Sequence, residues 1–282
     1  MTNKKIILDN QHRTIAKNLY HPVSDNILRM LAEYDVGYDY ELTYHSIRTG
    51  LIVGWIIDKI KTENFNDFTY RNDQTDFSLI SKNKNIAVTA AFVHDIGKKY
   101  FDHKILFKNT SFDKLERLIV EFHPSFGELA INHIKDNISD FLTQGFSASD
   151  LSLDLFFKLA KQGITEHHEK IDGSGYPGKL KGAKISLFGR IVAIADLIEA
   201  LLGRRTYKPA WTPYEVNSFV KENQILPREH FDSNLIDFFN TQVSYLSKEN
   251  GSKIFLERYS QLIAPAKYIL ERILRNENKP IG

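Results

Sequence analysis

At 282 residues and 42% hydrophobic content, the chain can bury a substantial core and has room for one large domain or two small ones. A net charge of +2 with both signs interspersed argues against a binder of polymeric nucleic acid or of a membrane surface, and the lack of cysteine excludes disulfides, thiolate metal sites and cysteine nucleophiles. No apolar run approaches a membrane-spanning length, so a cytoplasmic protein without membrane contact is expected, and any metal chemistry falls to histidine and carboxylate.

Residues 1–40 read as a short N-terminal helical extension, with Ser24 and Asp25 placed to cap a helix that carries Ile27, Leu28, Met30 and Leu31. From Glu41 to Lys61, Leu42, Ile47, Leu51, Ile52, Trp55, Ile56 and Ile60 recur at helical spacing and predict one long helix. Residues 62–85, rich in Asn, Asp and Lys, read as a polar connection, long enough to suggest a lid or binding segment. Ile86–Ile96 is strongly apolar and stops at Gly97, which predicts a buried helix with His94 and Asp95 near its C-terminus. Lys114–Glu121, Phe126–Ile138 and Asp150–Lys161 are further helical segments, the second following His123-Pro124. Ile185–Leu202 is another, with Asp196 inside an apolar run, followed by Pro213–Lys221, Asn234–Ser247 and Lys253–Arg275, the last expected to kink or break at Pro265. Strand alternation and internal repeats are missing, so the fold class is all-α, a helical bundle with its motifs spread over successive helices.

The chemistry concentrates in His167–Pro177, H-H-E-K-I-D-G-S-G-Y-P, where two histidines and a carboxylate run into a glycine-rich turn. Gly173, Gly175 and Gly178 permit positive φ, and Pro177 favours an extended Tyr176. Elsewhere, Glu41 and His45 share one helix face, His94-Asp95 puts an ionisable pair in an apolar segment, and Asp196 is a carboxylate too costly to bury unpaired. Any one of these residues has a bland reading, as a solvated side chain or a hydrogen-bonded helix end. Together with His123, His167 and His168 they form a nitrogen and oxygen donor set without sulfur, which favours iron, manganese or a related six-coordinate divalent ion over closed structural zinc. The donors are too many for one ion, and a carboxylate such as Asp95 can bridge a pair. Paired ions suit the hydrolysis of a phosphate ester.

With these residues in view, the sequence resembles the HD-GYP family of the HD phosphohydrolase superfamily from about Glu41 to about Asp232. The matching motifs run in family order: H45-S-I-R, H94-D-I-G-K, H123-P-S-F-G, the His167–Pro177 loop, and the helix bearing Asp196. The resemblance implies an HD-type bundle over residues 41–250, a GYP loop, and a C-terminal helix and tail over 251–282. It implies a bacterial signalling phosphodiesterase that hydrolyses cyclic di-GMP to pGpG, GMP or both, with 3',3'-cyclic GMP-AMP as the alternative substrate. On this resemblance His45, His94, Asp95 and Asp196 would hold one ion, and Asp95, His123, His167 and His168 a second. Glu41 would recruit a third. The cofactors would thus be two or three divalent ions, iron or manganese. Lys98 would contact a substrate phosphate, with Gly175, Tyr176, Arg205 and Tyr207 as further substrate contacts.

The departures from the family pattern, Glu199-Ala-Leu-Leu, Arg205-Thr-Tyr207, Phe231-Asp232-Ser233 and Lys99-Tyr100-Phe101, fall on no expected ligand and bear on the pocket rim. Two other functions compete: a metal-bound dinucleotide sensor or scaffold, and an HD enzyme acting on another nucleotide. The complete ligand set argues against the first and the intact GYP loop against the second. A signalling partner would dock through the GYP loop, and Lys253–Arg275 would serve either as a homodimer helix or as a layer of the bundle.

Overall fold

The computed structural model describes residues 22–35, 37, 40–63, 73–108, 110–138, 151–202, 230–244 and 251–274. Among them the regular structure is helical, as the periodicity predicts. The central element is α2 (Glu41–Thr62), in which Ile47, Ile52, Ile56, Ile57 and Ile60 are buried almost completely. Each such side chain contributes about 1.5–3 kcal/mol. Around α2 pack α1 (Pro22–Tyr34), α4 (Lys84–Ala91), α9 (Leu187–Leu202) and α11 (Gly251–Leu274), all feeding one hydrophobic core. A second group, α7 (His123–Asp136) and α8 (Leu151–Glu166), lies against a 3-10 helix (Ile96–Tyr100), α4 and α9. The site lies where the two groups meet.

Several boundaries differ from the sequence expectation. The helix expected over Ile86–Ile96 stops at Ala91, and His94 and Asp95 occupy the turn between α4 and the 3-10 helix. The reason is close approach: a Cβ on Gly97 would lie 1.9 Å from the His123 carbonyl oxygen and 2.6 Å from the Gly127 nitrogen, so only glycine lets this turn press against α7. The expected polar connection at 62–85 contains α3 (Asp73–Lys82). Its apolar anchors, Phe77 and Ile80, are too few to give a visible period, and a buried ion pair does the rest: Asp73 receives Arg190 through Nη1 at 3.0 Å and Nη2 at 2.5 Å. Residues 64–72 lie outside the described part, and the 73–82 stretch is packed and paired rather than a free lid.

Ser24 and Asp25 fall inside the first turn of α1 rather than capping it. α7 begins at His123, three residues before the apolar pattern, because Pro124 suits the first turn of a helix. α11 runs through Pro265 without a break, held on the bundle by buried Tyr259, Ala266, Ile269 and Ile273. Between the 3-10 helix and α7 come the short α5 (His103–Leu106) and α6 (Lys114–Val120). α10 (Ser233–Ser244) is capped by Asp232, whose Oδ1 accepts the Asn234 amide at 2.9 Å while its Oδ2 pairs with Arg190. The expected helix Pro213–Lys221 lies outside the described residues.

Candidate metal centre

Asp95 is fully buried, and its two oxygens face different ways. Oδ2 lies 3.4 Å from His45 Nε2 and 3.5 Å from His94 Nε2, whereas Oδ1 lies 3.3 Å from His123 Nε2 and 3.7 Å from His167 Nε2. Asp196 Oδ1 closes the first group at 3.1 Å from His45 Nε2 and 3.9 Å from His94 Nε2. His168 completes the second, its ring 4.9 Å from that of His123. Three sets, His45/His94/Asp196, His94/Asp95/His167 and His123/His167/His168, each bring one donor atom per residue within 4.8 Å of the others. Eight positions were expected as ligands from the sequence, and the seven named in these sets converge.

The rings are held by their other nitrogen. His94 Nδ1 pairs with the Ala91 carbonyl at 2.9 Å, His123 Nδ1 with Val120 at 2.8 Å, and His167 Nδ1 with Gly163 at 2.7 Å. A carbonyl can only accept, so each Nδ1 carries a proton and each Nε2 is the ring nitrogen turned toward the other donors, the one a metal would take. His123 Nε2 and His167 Nε2 lie 3.3 Å apart, and His94 Nε2 and Asp95 Oδ1 are buried without a hydrogen-bond partner. Such an arrangement is costly unless cations neutralise it. The donor set therefore fits divalent metal.

His45 is oriented differently. Its Nδ1 pairs with Glu199, whose other oxygen accepts Arg48 Nε at 2.7 Å, and the Arg48 guanidinium rests 4.5 Å from the centre of the Tyr44 ring. Glu199 and Arg48 were not among the expected site residues. Their signal was there: Glu199 follows Asp196 by three positions on an otherwise apolar helix, and Arg48 follows His45 by three, so each shares its ligand's helix face. The electrostatics differ accordingly. Burial would lower the His45 pKa, but the carboxylates of Glu199, Asp196 and Asp95 outweigh it and raise the value to about 10. His167, buried among other imidazoles, is pushed down to about 3. Asp95 and Asp196 lie well below the usual carboxylate range: burial opposes this, and it is overcome at Asp95 by Lys98 and the surrounding histidines and at Asp196 by His45 and His94.

The loop after His168 forms a wall. Glu169, also not expected to matter, is buried and its carboxylate accepts the Gly178 amide at 2.5 Å and the Leu180 amide at 2.9 Å. A Cβ on Gly175 would meet the Lys170 nitrogen at 2.4 Å, so Gly175 is required for the loop to fold back on residues 168–170. Tyr176 stacks on His168, ring centres 4.8 Å apart, and burial raises its pKa, so the hydroxyl stays protonated. Lys98 Nζ lies 2.5 Å from Asp95 Oδ2. Glu41 belongs to none of the three donor sets, but with His45 and Lys98 it lines a cavity of about 140 Å³. Arg205 and Tyr207 lie outside the described residues.

Residues 147–235 match the family described as HD domain, a stretch that holds His167, His168, the glycine-rich loop and Asp196. The chain is 30% identical over 161 residues to a 3'3'-cGAMP-specific phosphodiesterase 2 of Vibrio cholerae, covering 57% of this chain and 27% of that protein. It is 31% identical over 150 residues to a cyclic di-GMP phosphodiesterase of the same organism, 53% of this chain and 27% of that one. With a cyclic di-GMP phosphodiesterase of Thermotoga maritima the identity is 29% over 213 residues, 76% of this chain and 47% of the relative. The matched stretches thus span about a quarter to a half of the relatives' lengths. Among the described residues no helix is long and apolar enough to cross a membrane.

Proposed function

We propose that this chain is a metal-dependent phosphodiesterase of the HD-GYP type that hydrolyses cyclic di-GMP to pGpG, GMP or both in cytoplasmic second-messenger signalling, a reading supported by the HD-domain match over residues 147–235. The observation that carries the proposal is Asp95, buried between two sets of imidazoles with one oxygen directed at each. His45, His94, Asp95 and Asp196 would hold one ion, Asp95, His123, His167 and His168 the other, and Glu41 would recruit a third. When bound, such ions, taken as iron or manganese from the donor chemistry, supply Lewis-acid polarisation of a phosphoryl oxygen and a lowered pKa for water.

The chain's own groups do the rest. Lys98 presents an ammonium beside Asp95 in the same cavity and would hold a phosphate oxygen. Tyr176, kept protonated by burial, would offer a hydroxyl donor beside His168. Gly175 shapes that wall, and Arg205 and Tyr207 are proposed as further substrate contacts. Residues 41–250 would form the phosphodiesterase unit, with α1 before it and α11 after it packing on its core. A signalling partner would dock on the GYP loop, and two chains would pair as a homodimer.

The second reading is 3',3'-cyclic GMP-AMP as substrate, which the name of the Vibrio cholerae relative favours. The test is to load the protein anaerobically with iron or manganese, incubate it with each dinucleotide, and separate the products by chromatography. Appearance of pGpG or GMP is expected. No cleavage of either dinucleotide with any divalent metal would overturn the proposal and leave the sensor reading in its place.

A further inference from the structure

The cavity that His45 and Lys98 line has a mixed lining. Its lining combines the polar Glu41, His45 and Lys98 with the apolar Leu42, Leu106, Phe107, Phe112 and Val120. Phe112 is 40% exposed and stands immediately before a helix fixed by its cap. The following residue, Asp113, caps α6 in a reciprocal box: Asp113 Oδ1 accepts the Glu116 amide at 2.8 Å, and Glu116 Oε2 accepts the Asp113 amide at 2.7 Å. Lys108, on the preceding side, pairs with the same Glu116 carboxylate and places its ammonium 5.7 Å from the centre of the Phe112 ring.

A local structural role does not account for the ring. A phenylalanine just before a cap usually staples to the fourth helical residue, but that residue is Arg117, whose side chain is 76% exposed and turned to Glu121. An apolar ring left 40% exposed at this cavity keeps apolar surface in water and gains no staple. A nucleotide has the complementary shape, anionic at one end and a flat π-face at the other. Base stacking on an exposed aromatic is tolerant of base identity and is strengthened by a nearby cation.

We infer that Phe112 is the stacking platform for one nucleobase of the substrate, setting preference for a dinucleotide over a plain phosphodiester, an inference that rests on the dinucleotide reading above. The ring positions substrate and takes no part in bond breaking. The test compares kcat/KM for cyclic di-GMP with kcat/KM for methyl p-nitrophenyl phosphate, a diester without a base, in manganese-loaded protein. In Phe112→Ala the ratio of the two should fall by about five- to a hundredfold. Phe112→Trp should restore it, and Leu115→Ala, which changes an exposed residue away from the cavity, should leave it as in the unaltered chain. An unchanged ratio in Phe112→Ala overturns the inference even if both diesters are cleaved. If the unaltered chain cleaves neither, the hydrolase reading falls, and titration calorimetry of cyclic di-GMP on the same proteins decides the inference. Weaker binding in the alanine variant with recovery in the tryptophan variant upholds the platform, and equal or absent binding in all three overturns it.

Discussion

Asp95 joins two halves of one site that are built on different principles. The half on α2 and α9 is ionic: His45 is oriented by Glu199, Glu199 is held by Arg48, and the imidazole is drawn toward its protonated form. The half on α7 and α8 is held by the backbone: His123 and His167 are oriented by backbone carbonyls, and burial holds His167 deprotonated. In the first half His94 is also held by a backbone carbonyl, but the atom that supports His45 belongs to a replaceable side chain. In the second the supporting atoms belong to the helix ends, which follow from the fold. Mutation should therefore separate the halves.

The largest effect is expected at the shared residue. Asp95→Asn keeps the shape but removes the charge that would hold two cations together. Turnover of cyclic di-GMP should fall by more than about a hundredfold, the upper range seen for outer-shell partners of a metal. Near-normal turnover would remove Asp95 from the bridging position.

Next comes Glu199→Gln, which acts on the ionic half alone. Metal affinity there should drop about 10- to 100-fold while the His123, His167 and His168 half stays loaded, as measured by competitive metal titration with stoichiometry. Equal loss from both halves would mean that Glu199 supports the fold rather than His45.

Proton release sharpens the contrast further. A metal ligand must be deprotonated, so with His45 near 10, loading the ionic half at neutral pH should expel one proton, and its affinity should rise about tenfold per pH unit toward that value. His167, near 3, is already neutral and should contribute none. Calorimetry in buffers of different ionisation enthalpy counts these protons.

The smallest expected effect lies away from the site. Asp35 is buried, its oxygens accept the Thr43 amide at 2.9 Å and the Thr43 hydroxyl at 3.0 Å, and burial raises its pKa to about 6. Because the folded pKa exceeds the unfolded value of about 4, the unfolded chain loses its proton first. Stability should fall as pH rises from about 4 to about 6 and stay reduced above that. Asp35→Asn removes the charge and should stabilise the protein by about 1–3 kcal/mol at pH 8 but not at pH 4. Thermal unfolding at the two pH values checks it.

The sequence made the ligands legible because ionisable residues in apolar runs are costly without a partner, and the periodicity of α2 and α9 set the faces they share. Glu199, expected as a departure that bears on the pocket rim, is instead fully buried as the partner of His45, because spacing along one helix does not reveal a histidine on another. Glu169 was hidden for a different reason, since its targets are backbone amides nine and eleven positions on, which no side-chain pattern announces. The end of α4 at Ala91 depends on how closely Gly97 meets α7, a contact between segments that a local reading does not contain. α3 depends on Asp73 finding Arg190 more than a hundred residues away.

The central claim is that Asp95 bridges two ions, and the electron paramagnetic resonance spectrum of the manganese-loaded protein tests it most directly. A bridged pair should give a spin-coupled signal in the unaltered chain that is lost in Asp95→Asn. The hyperfine pattern of isolated ions in the unaltered chain, or the same coupled signal in the variant, would contradict it.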